Sequence, residues 1–292
     1  MSKIIECVLN FSEGTDTALI EQIAAAVKTA KVIDLHSDPD HNRSVVTFIG
    51  EPGGVGQGAF DLTERAMQLL DVRDHQGVHP FIGVVDVIPF IPLRDCTMAE
   101  AVDLARELGK KLWEHFKLPV YYYGEAAIVP ERKELSFVRH GGYDALKNEI
   151  SAPHRRPDVG HGLHPTAGAT AVGARNYLIA INFDLDSTDV DIAKSIAKNI
   201  REKSGGLPGV RALGVELKSR GLTQVTVNVV DHQKTSLKKL YDEVKEWAKE
   251  YGVGIVESEL VGLIPAVAAC PGMRFDLKLT NFSADKVLDK HF

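Results

Sequence analysis

The chain has 292 residues, of which 44% are apolar and 25% are charged, enough for two packed cores at about 100–150 residues per domain. Its 34 Lys and Arg residues against 40 Asp and Glu residues give a net charge of −6, which argues against a nucleic-acid partner, because binding phosphates needs a clustered basic surplus. Its apolar runs are all far shorter than the about 20 residues of a membrane span, so no membrane partner is expected either.

The first half of the chain shows strand-like alternation and helical spacing in a β-α-β-β-α-β order. A capping box at Thr97 and Glu100 then opens another helix, which is predicted to run to about residue 116. The predicted strands are 4–9, 32–36, 44–49, 81–88 and 119–123, and the predicted helices are 16–30, 55–70 and 97–116.

The segment from about 124 to 173 is rich in glycine and proline and carries four of the histidines, at 140, 154, 161 and 164. Connections longer than about 15 residues are usually functional or disordered. We therefore predict a binding loop between two subdomains here.

The second half repeats the β-α-β-β-α-β order of a ferredoxin-like unit. Its predicted strands are 176–184, 210–217, 223–229 and 254–257, and its predicted helices are 190–203 and 236–249. The fold class is therefore α/β (α+β), with two related ferredoxin-like βαββαβ-type subdomains at 1–175 and 176–292.

Cysteine use and the N-terminus indicate the compartment. Cys7, Cys96 and Cys270 are an odd number without close spacing, which excludes a disulfide framework and a CxxC metal site. The chain enters its first strand directly, without an apolar leader segment, so a cytoplasmic protein is expected. Eleven histidines are the unusual feature of the composition.

Two glycine-rich stretches imitate nucleotide-binding motifs. GVGQGA at 54–59 has the spacing of a dinucleotide fingerprint, but Glu51 would place a carboxylate near the pyrophosphate. GATAVG at 168–173 has the spacing of a P-loop, but Ala174 and Arg175 replace the lysine and hydroxyl residue that the motif needs. Both are interpreted as close-packing backbone.

Two histidine pairs have zinc-like spacing. Gly77 and Pro80 break the helix that would align His75 with His79, and the loop around His161 and His164 is equally punctuated. We therefore expect no metal site.

Three polar stretches, at 10–14, 37–43 and 73–80, lie in predicted loops beside strand ends, where ligand-binding groups concentrate. A single Asn or Ser there is more often a turn or cap residue. His79 differs, because Pro80 holds its backbone extended and so fixes the direction of the imidazole. A histidine that titrates near neutral pH can move a proton in either direction.

These stretches, with three others, resemble the formiminotransferase domain of the formiminotransferase-cyclodeaminase family. The resemblance runs in order from about residue 3 to 265, and its blocks are IIECVLNFSEG (4–14), SDPDHNRSVVTFIGEP (37–52), GVHPFIGVVDVIPFIPL (77–93), LPVYYYGEAA (118–127), GATAVGARNYLIAIN (168–182) and SELVGLIP (258–265). It implies two α/β subdomains with a folate cleft between them, a homodimer, and no cyclodeaminase domain within this chain.

The resemblance also implies an activity: transfer of the formimino group from N-formimino-L-glutamate to N5 of tetrahydrofolate, a co-substrate. The family's catalytic histidine lies in a G-x-H-P motif that matches His79, and Asn10, Asp38 and Arg43 fall in motifs that line its cleft. The family's folate-binding segment matches Gly160, His161, Gly162, Leu163, His164, Pro165, Thr166, Ala167 and Gly168.

Three positions depart from the family pattern. Phe81 stands where the family usually has arginine, and an apolar ring cannot replace a guanidinium fork. Ala167 stands where an aromatic residue is common, and Leu9 where proline is common. The anionic substrates of an acidic protein also call for a local basic patch, for which the available groups are Arg43, Arg73, Arg155, Arg156, Arg175 and the loop histidines.

Other functions stay open on the residues alone. Phe81 leaves room for another one-carbon donor, such as formiminoglycine or 5-formyltetrahydrofolate. A non-catalytic folate-binding protein and a nucleotide-dependent enzyme are the alternatives from other classes.

Overall fold

The computed structural model describes residues 2–292, which divide into an N-terminal unit that ends at Asn176 and a C-terminal unit, Tyr177–Phe292. Each unit has its own sheet and its own hydrophobic cluster. Among the described residues, no helix is both long enough and apolar enough to cross a membrane.

The N-terminal unit is built on a six-stranded sheet in the order β2-β3-β1-β4-β6-β5. The strands are β1 Ile4–Phe11, β2 Lys31–Asp38, β3 Arg43–Gly50, β4 Val85–Arg94, β5 Val120–Gly124 and β6 Thr170–Ala174. The helices are α1 Thr17–Ala24, α2 Pro52–Leu69, α3 Met98–Phe116, α4 Leu135–Val138 and α5 Gly142–Glu149, with a 3₁₀ turn at Pro130–Lys133.

The first four strands pair antiparallel as β4-β1-β3-β2, which is the ferredoxin-like arrangement. β6 then pairs parallel with both β4 and β5 and so extends the sheet. One face of the sheet buries Ile5, Leu9 and Phe90 together with residues of α1, α2 and α3. On the other face, α4 and α5 cover Tyr121 and Tyr123.

The C-terminal unit has a four-stranded antiparallel sheet in the order β10-β7-β9-β8. Its strands are β7 Ile179–Leu185, β8 Val210–Leu217, β9 Leu222–Val229 and β10 Ile255–Val261, its helices are α6 Val190–Ile200, α7 Leu237–Glu250 and α8 Met273–Asp276, and its 3₁₀ turns are Glu202–Ser204, Ala266–Ala268, Ala284–Lys286 and Leu288–Lys290. The two related ferredoxin-like subdomains predicted from the sequence are therefore confirmed.

The predicted helix 16–30 is too long. α1 ends at Ala24. Before β2 begins, the backbone makes a turn in which Ala26 N donates to Ile23 O and Val27 N donates to Ala24 O. Apolar residues in this turn continue the helical pattern because Val27 packs into the same cluster.

The predicted strand 81–88 is displaced, since β4 runs from Val85 to Arg94. Pro89 and Pro92 argue in the sequence against a strand that continues beyond residue 88, because proline donates no hydrogen bond to a neighbouring strand. The residues before β4 instead form a bend, which is held where Ile82 N donates to Asp86 Oδ1 at 3.0 Å.

The prediction of a loop over 124–173 is wrong for much of its length. The segment contains α4, α5 and the internal strand β6, and Val138, Leu146 and Ala171 are buried in one cluster. Helices of four and eight residues are too short to show a helical period clearly.

Candidate active site

The end of β1 and the start of β3 bring Asn10 and Arg43 together, since Asn10 pairs with Val45 in the sheet. Arg43 Nε donates to Asn10 Oδ1 at 2.9 Å. Arg43 Nη1 donates to Asp86 Oδ2 at 2.6 Å. Two hydrogen bonds thus fix the plane of the guanidinium beside β1.

Asp86 is the acidic centre of the site and was missed in the sequence. Its carboxylate is fully buried and accepts from Arg43, from Arg139 and from the backbone of Ile82. Burial acts to raise the pKa of Asp86, but Arg139 and Arg43 outweigh it, so the pKa lies below its ordinary value. The available signal was a lone acid within the otherwise apolar run 84–92.

His79 lies against this ion-paired group. Its Nδ1 is 2.8 Å from Pro80 O and 3.3 Å from Arg43 Nη1. The shorter contact is to an acceptor, so we assign the proton to Nδ1, which leaves the lone pair on Nε2. Burial, followed by the positive charges of Arg43 and Arg139, lowers the pKa of His79 well below its ordinary value. The imidazole is therefore neutral at neutral pH and ready to accept a proton.

Backbone and amide contacts join the three polar loops predicted from the sequence. Asn42 accepts from Gly14 N at 2.9 Å and donates to Gln76 O at 2.9 Å. The His41 ring is centred 5.7 Å from the His79 ring. Gly77 allows the close approach, because a Cβ there would lie 2.3 Å from His41 O. Loops distant in sequence thus converge on His79.

Asp38 has a local role. Its Oδ1 accepts from His41 N at 2.7 Å, as in an Asx turn. This bond shapes the loop that carries His41 and Asn42.

The segment 160–168 makes contacts at its two ends. At one end, Gly160 lies against Trp113 of α3, whose ring is centred 5.0 Å from that of His161. At the other end, Val84 N donates to Ala167 O at 2.9 Å and Ala169 N donates to Ile82 O at 3.0 Å, which ties the segment to the bend before Asp86.

The middle of that segment is partly open. His164 Nδ1 accepts from Ala167 N at 3.0 Å, and burial lowers the pKa of His164. Gly162 is exposed with φ of 67°, and its Cβ position has nothing within 4 Å. The described contacts of the segment therefore lead to Trp113, to Val72, whose N donates to Thr166 O at 2.7 Å, and to the 82–84 bend, rather than to His79.

A pocket of about 330 Å³ opens beside His79. Phe81 forms part of its wall: the ring meets His75 edge-on at 4.3 Å and stacks on Tyr143 at 6.1 Å between centroids. The lining residues are Gly77, Val78, His79, Pro80, Phe81, Arg139, Gly141, Gly142, Tyr143 and Asp144.

Fewer of the arginines proposed for a basic patch lie at the His79 site than the sequence analysis offered. Arg73 is paired with Asp71, and Arg155 donates to the carbonyls of Val138 and His140. Arg43 and Arg139 are the arginines at the His79 site, and Arg139 was missed because it follows a short helix within the presumed loop. In the described part of the chain, no group of three or more His, Cys, Asp or Glu side chains is arranged to hold a metal ion.

Two ferredoxin-like units define an α+β protein, and one of them carries a pocket lined by His79 and Arg139, with Arg43 beside the histidine. This arrangement is suited to proton-transfer chemistry. Comparison with known families is consistent with this class. The family model for the formiminotransferase domain, N-terminal subdomain, matches residues 4–175, and the model for the formiminotransferase domain matches residues 180–284. The chain belongs to the formiminotransferase family.

Individual relatives match along the chain. It is 40% identical to a glutamate formimidoyltransferase of Thermoplasma acidophilum over 98% of this chain and 96% of the relative. The corresponding protein of Streptococcus pyogenes is 38% identical, with 100% and 99% covered. The formimidoyltransferase-cyclodeaminase of Rattus norvegicus is 40% identical over 94% of this chain but only 52% of the rat protein.

Proposed function

We propose that this protein transfers the formimino group of N-formimino-L-glutamate to N5 of tetrahydrofolate, yielding 5-formimidoyltetrahydrofolate and L-glutamate. The observation that carries the proposal is the similarity to glutamate formimidoyltransferases over 96% or more of both chains. Tetrahydrofolate is a co-substrate in this reaction.

The test is product formation by purified protein from formiminoglutamate and tetrahydrofolate. We expect 5-formimidoyltetrahydrofolate and glutamate in equal amounts. Turnover of another donor, with none of formiminoglutamate, would contradict the proposed substrate.

His79 is the proposed general base and acid. N5 of the folate attacks the amidine carbon, and Nε2 of His79 takes the proton that N5 loses. When the bond from that carbon to the glutamate nitrogen breaks, His79 returns the proton to the departing amine. A lowered histidine pKa and a lone pair on Nε2 support this role.

Asn10 and Arg43 are proposed as positioning residues. Asn10 orients the guanidinium, and Arg43 lies 3.3 Å from the His79 ring. The positive charge of Arg43 also favours the neutral imidazole that the first proton transfer requires.

Residues 160–168 are the proposed folate-binding segment. The exposed Gly162 and the Trp113 ring beside His161 offer backbone and an aromatic surface to a flat ring system. Folinate, a stable reduced folate, should slow cleavage within residues 160–168 by a protease of broad specificity. Unchanged cleavage at saturating folinate would argue against this assignment.

Phe81 favours a second candidate, a related enzyme with another donor such as formiminoglycine or 5-formyltetrahydrofolate. Its apolar ring lines the pocket beside His79. A screen of these donors against formiminoglutamate, compared by kcat/KM, separates the two functions. Binding of folinate without turnover of any donor would instead favour a non-catalytic folate-binding protein.

A cytoplasmic homodimer completes the proposal. It is supported by the family resemblance. Sedimentation velocity would test the dimer, and a single monomer species at assay concentration would contradict it.

A further inference from the structure

The His79 site carries more buried positive charge than its own carboxylate neutralises. The Arg43 and Arg139 side chains are only 11% and 13% exposed, and both pair with the fully buried Asp86. His79 adds no negative charge to offset them. The three ionised groups therefore leave a surplus of one positive charge, which is costly to bury without an anion.

Arg139 still has hydrogen-bonding capacity. Its Nη2 binds Asp86, while its Nε–H is buried and has no hydrogen-bond partner among the described residues. A guanidinium presents its N–H groups as a planar fork that matches a carboxylate. Nη2 thus holds Asp86 and the buried Nε–H is left without an acceptor, while Arg139 also lines the pocket, where its guanidinium charge can attract a second anion.

The Arg139 guanidinium borders a pocket of about 330 Å³, which is large enough for a small ligand. Arg139, Phe81 and Tyr143 all line the pocket that contains His79. The phenyl ring at position 81 supplies an apolar surface, so the positive charge at this pocket comes from Arg139, at the end of α4. Asp144 also lines the pocket, but it is exposed and its charge is therefore screened by solvent.

We propose that Arg139 binds one carboxylate of the formimino donor within this pocket, while Phe81 and Tyr143 contact the donor's aliphatic chain. The donor's carboxylate neutralises the surplus charge, and its amidine carbon is placed on the side of His79. This assignment rests on the proposed function and names the subsite that its donor occupies.

The first experiment separates donor binding from chemistry with R139Q, R139K and the control R106Q, which lies on the exposed side of α3. Loss of a charge-assisted hydrogen bond should raise the KM for formiminoglutamate about 10- to 100-fold in R139Q. R139K should keep part of the affinity, and R106Q should behave as wild type. The KM for tetrahydrofolate should change less than about two-fold in all three.

The second experiment uses donors that lack one charge each, the α-amide and the γ-amide of formiminoglutamate. For one of these amides, R139Q should cost no more than R106Q, because the carboxylate that Arg139 binds is already gone. An equal R139Q penalty for all three donors, or a fall in kcat with unchanged donor KM, would overturn the proposal.

Calorimetric titration with L-glutamate, the proposed product, keeps this inference distinct from the proposed function. Suppose that the wild type does not turn over formiminoglutamate but binds glutamate more tightly than folded R139Q does. That result would support the subsite and reject the transfer activity. If R139Q does not fold, the R139K titration decides, and glutamate affinity equal to wild type would reject the subsite.

Discussion

At the scale of single residues, His79 is the position where the loss of one side chain should remove activity without removing the fold. It is half-buried in a loop, outside the helices and strands. We expect H79A to lower kcat about 10²- to 10⁴-fold, the usual value of general acid–base catalysis, with little change in its melting temperature. H75A is the matched control, and equal losses in both variants would contradict the assignment.

The pH profile gives the same residue an independent readout. The pKa of His79 is lowered by burial and by Arg43 and Arg139, so the neutral base persists below the ordinary histidine pKa of about 6.5. Wild-type kcat/KM should therefore stay level as the pH falls through 6.5 and decline only at lower pH. A decline centred at or above about 6.5 would show that another group is the base.

Asp86 is the residue on which both arginines depend. D86N leaves two buried guanidinium groups without their counter-ion, and breaking a buried pair typically costs about 3–5 kcal/mol. The free energy of unfolding, measured in urea, should fall by that amount, whereas D103N, on an exposed position of α3, should change it by less than about 0.5 kcal/mol. Similar stability in both variants would mean that the arginines find other partners.

The sequence predicted part of this site and missed the rest for a physical reason. Asn10, Arg43 and His79 belong to polar stretches at or beside strand ends, where ligand-binding groups concentrate, and these stretches also carry the family resemblance. Asp86 is in a strand, and Arg139 follows a four-residue helix with no visible period. Their pairing depends on tertiary contact across 53 residues of chain, which no local pattern records.

At the scale of elements, α2 explains the glycines that imitate a dinucleotide motif. A Cβ on Gly54 would lie 2.4 Å from Thr29 O, which is backbone, whereas one on Gly53 would meet nothing within 4 Å. Both residues lie in the first turn of α2. The motif is thus a packing surface of the helix.

A pair of alanine variants tests that packing. G54A should destabilise the protein by about 1–3 kcal/mol, because the backbone must shift to admit the methyl group. G53A should be neutral or stabilising by up to about 1 kcal/mol, because alanine has the higher helix propensity. Thermal unfolding would reveal the difference, and equal melting temperatures would refute the packing role.

Elements with strong local signals were also the ones that the sequence located well. The capping box places the start of α3 after Thr97, as observed. β6 has five residues, TAVGA, and its small side chains give little strand propensity. It is a strand because β4 and β5 pair with it on both sides.

At the scale of the whole molecule, the repeated βαββαβ order could be predicted from the sequence, because the apolar residues of each half show strand-like and helix-like spacing in the same order. The two sheets differ in one respect: the N-terminal one has two further strands, β6 and β5. Because β5 pairs with the sheet only through β6, the end of the N-terminal unit is set by a strand that the sequence assigned to a loop. We therefore place the boundary between the units at about residue 176.

Two fragments that differ by eight residues test this boundary. The fragment 1–176 retains β6, whereas 1–168 lacks it and leaves β4 and β5 separated, with Tyr121 and Tyr123 deprived of the buried neighbours Ala169 and Ala171. Because the lost ladder lies inside the sheet, we expect 1–176 to unfold cooperatively on heating and 1–168 to show no cooperative transition. Near-ultraviolet circular dichroism would follow the buried tyrosines. A cooperative transition in 1–168 would show that β6 is dispensable, and the absence of one in 1–176 would show that the N-terminal unit does not fold alone.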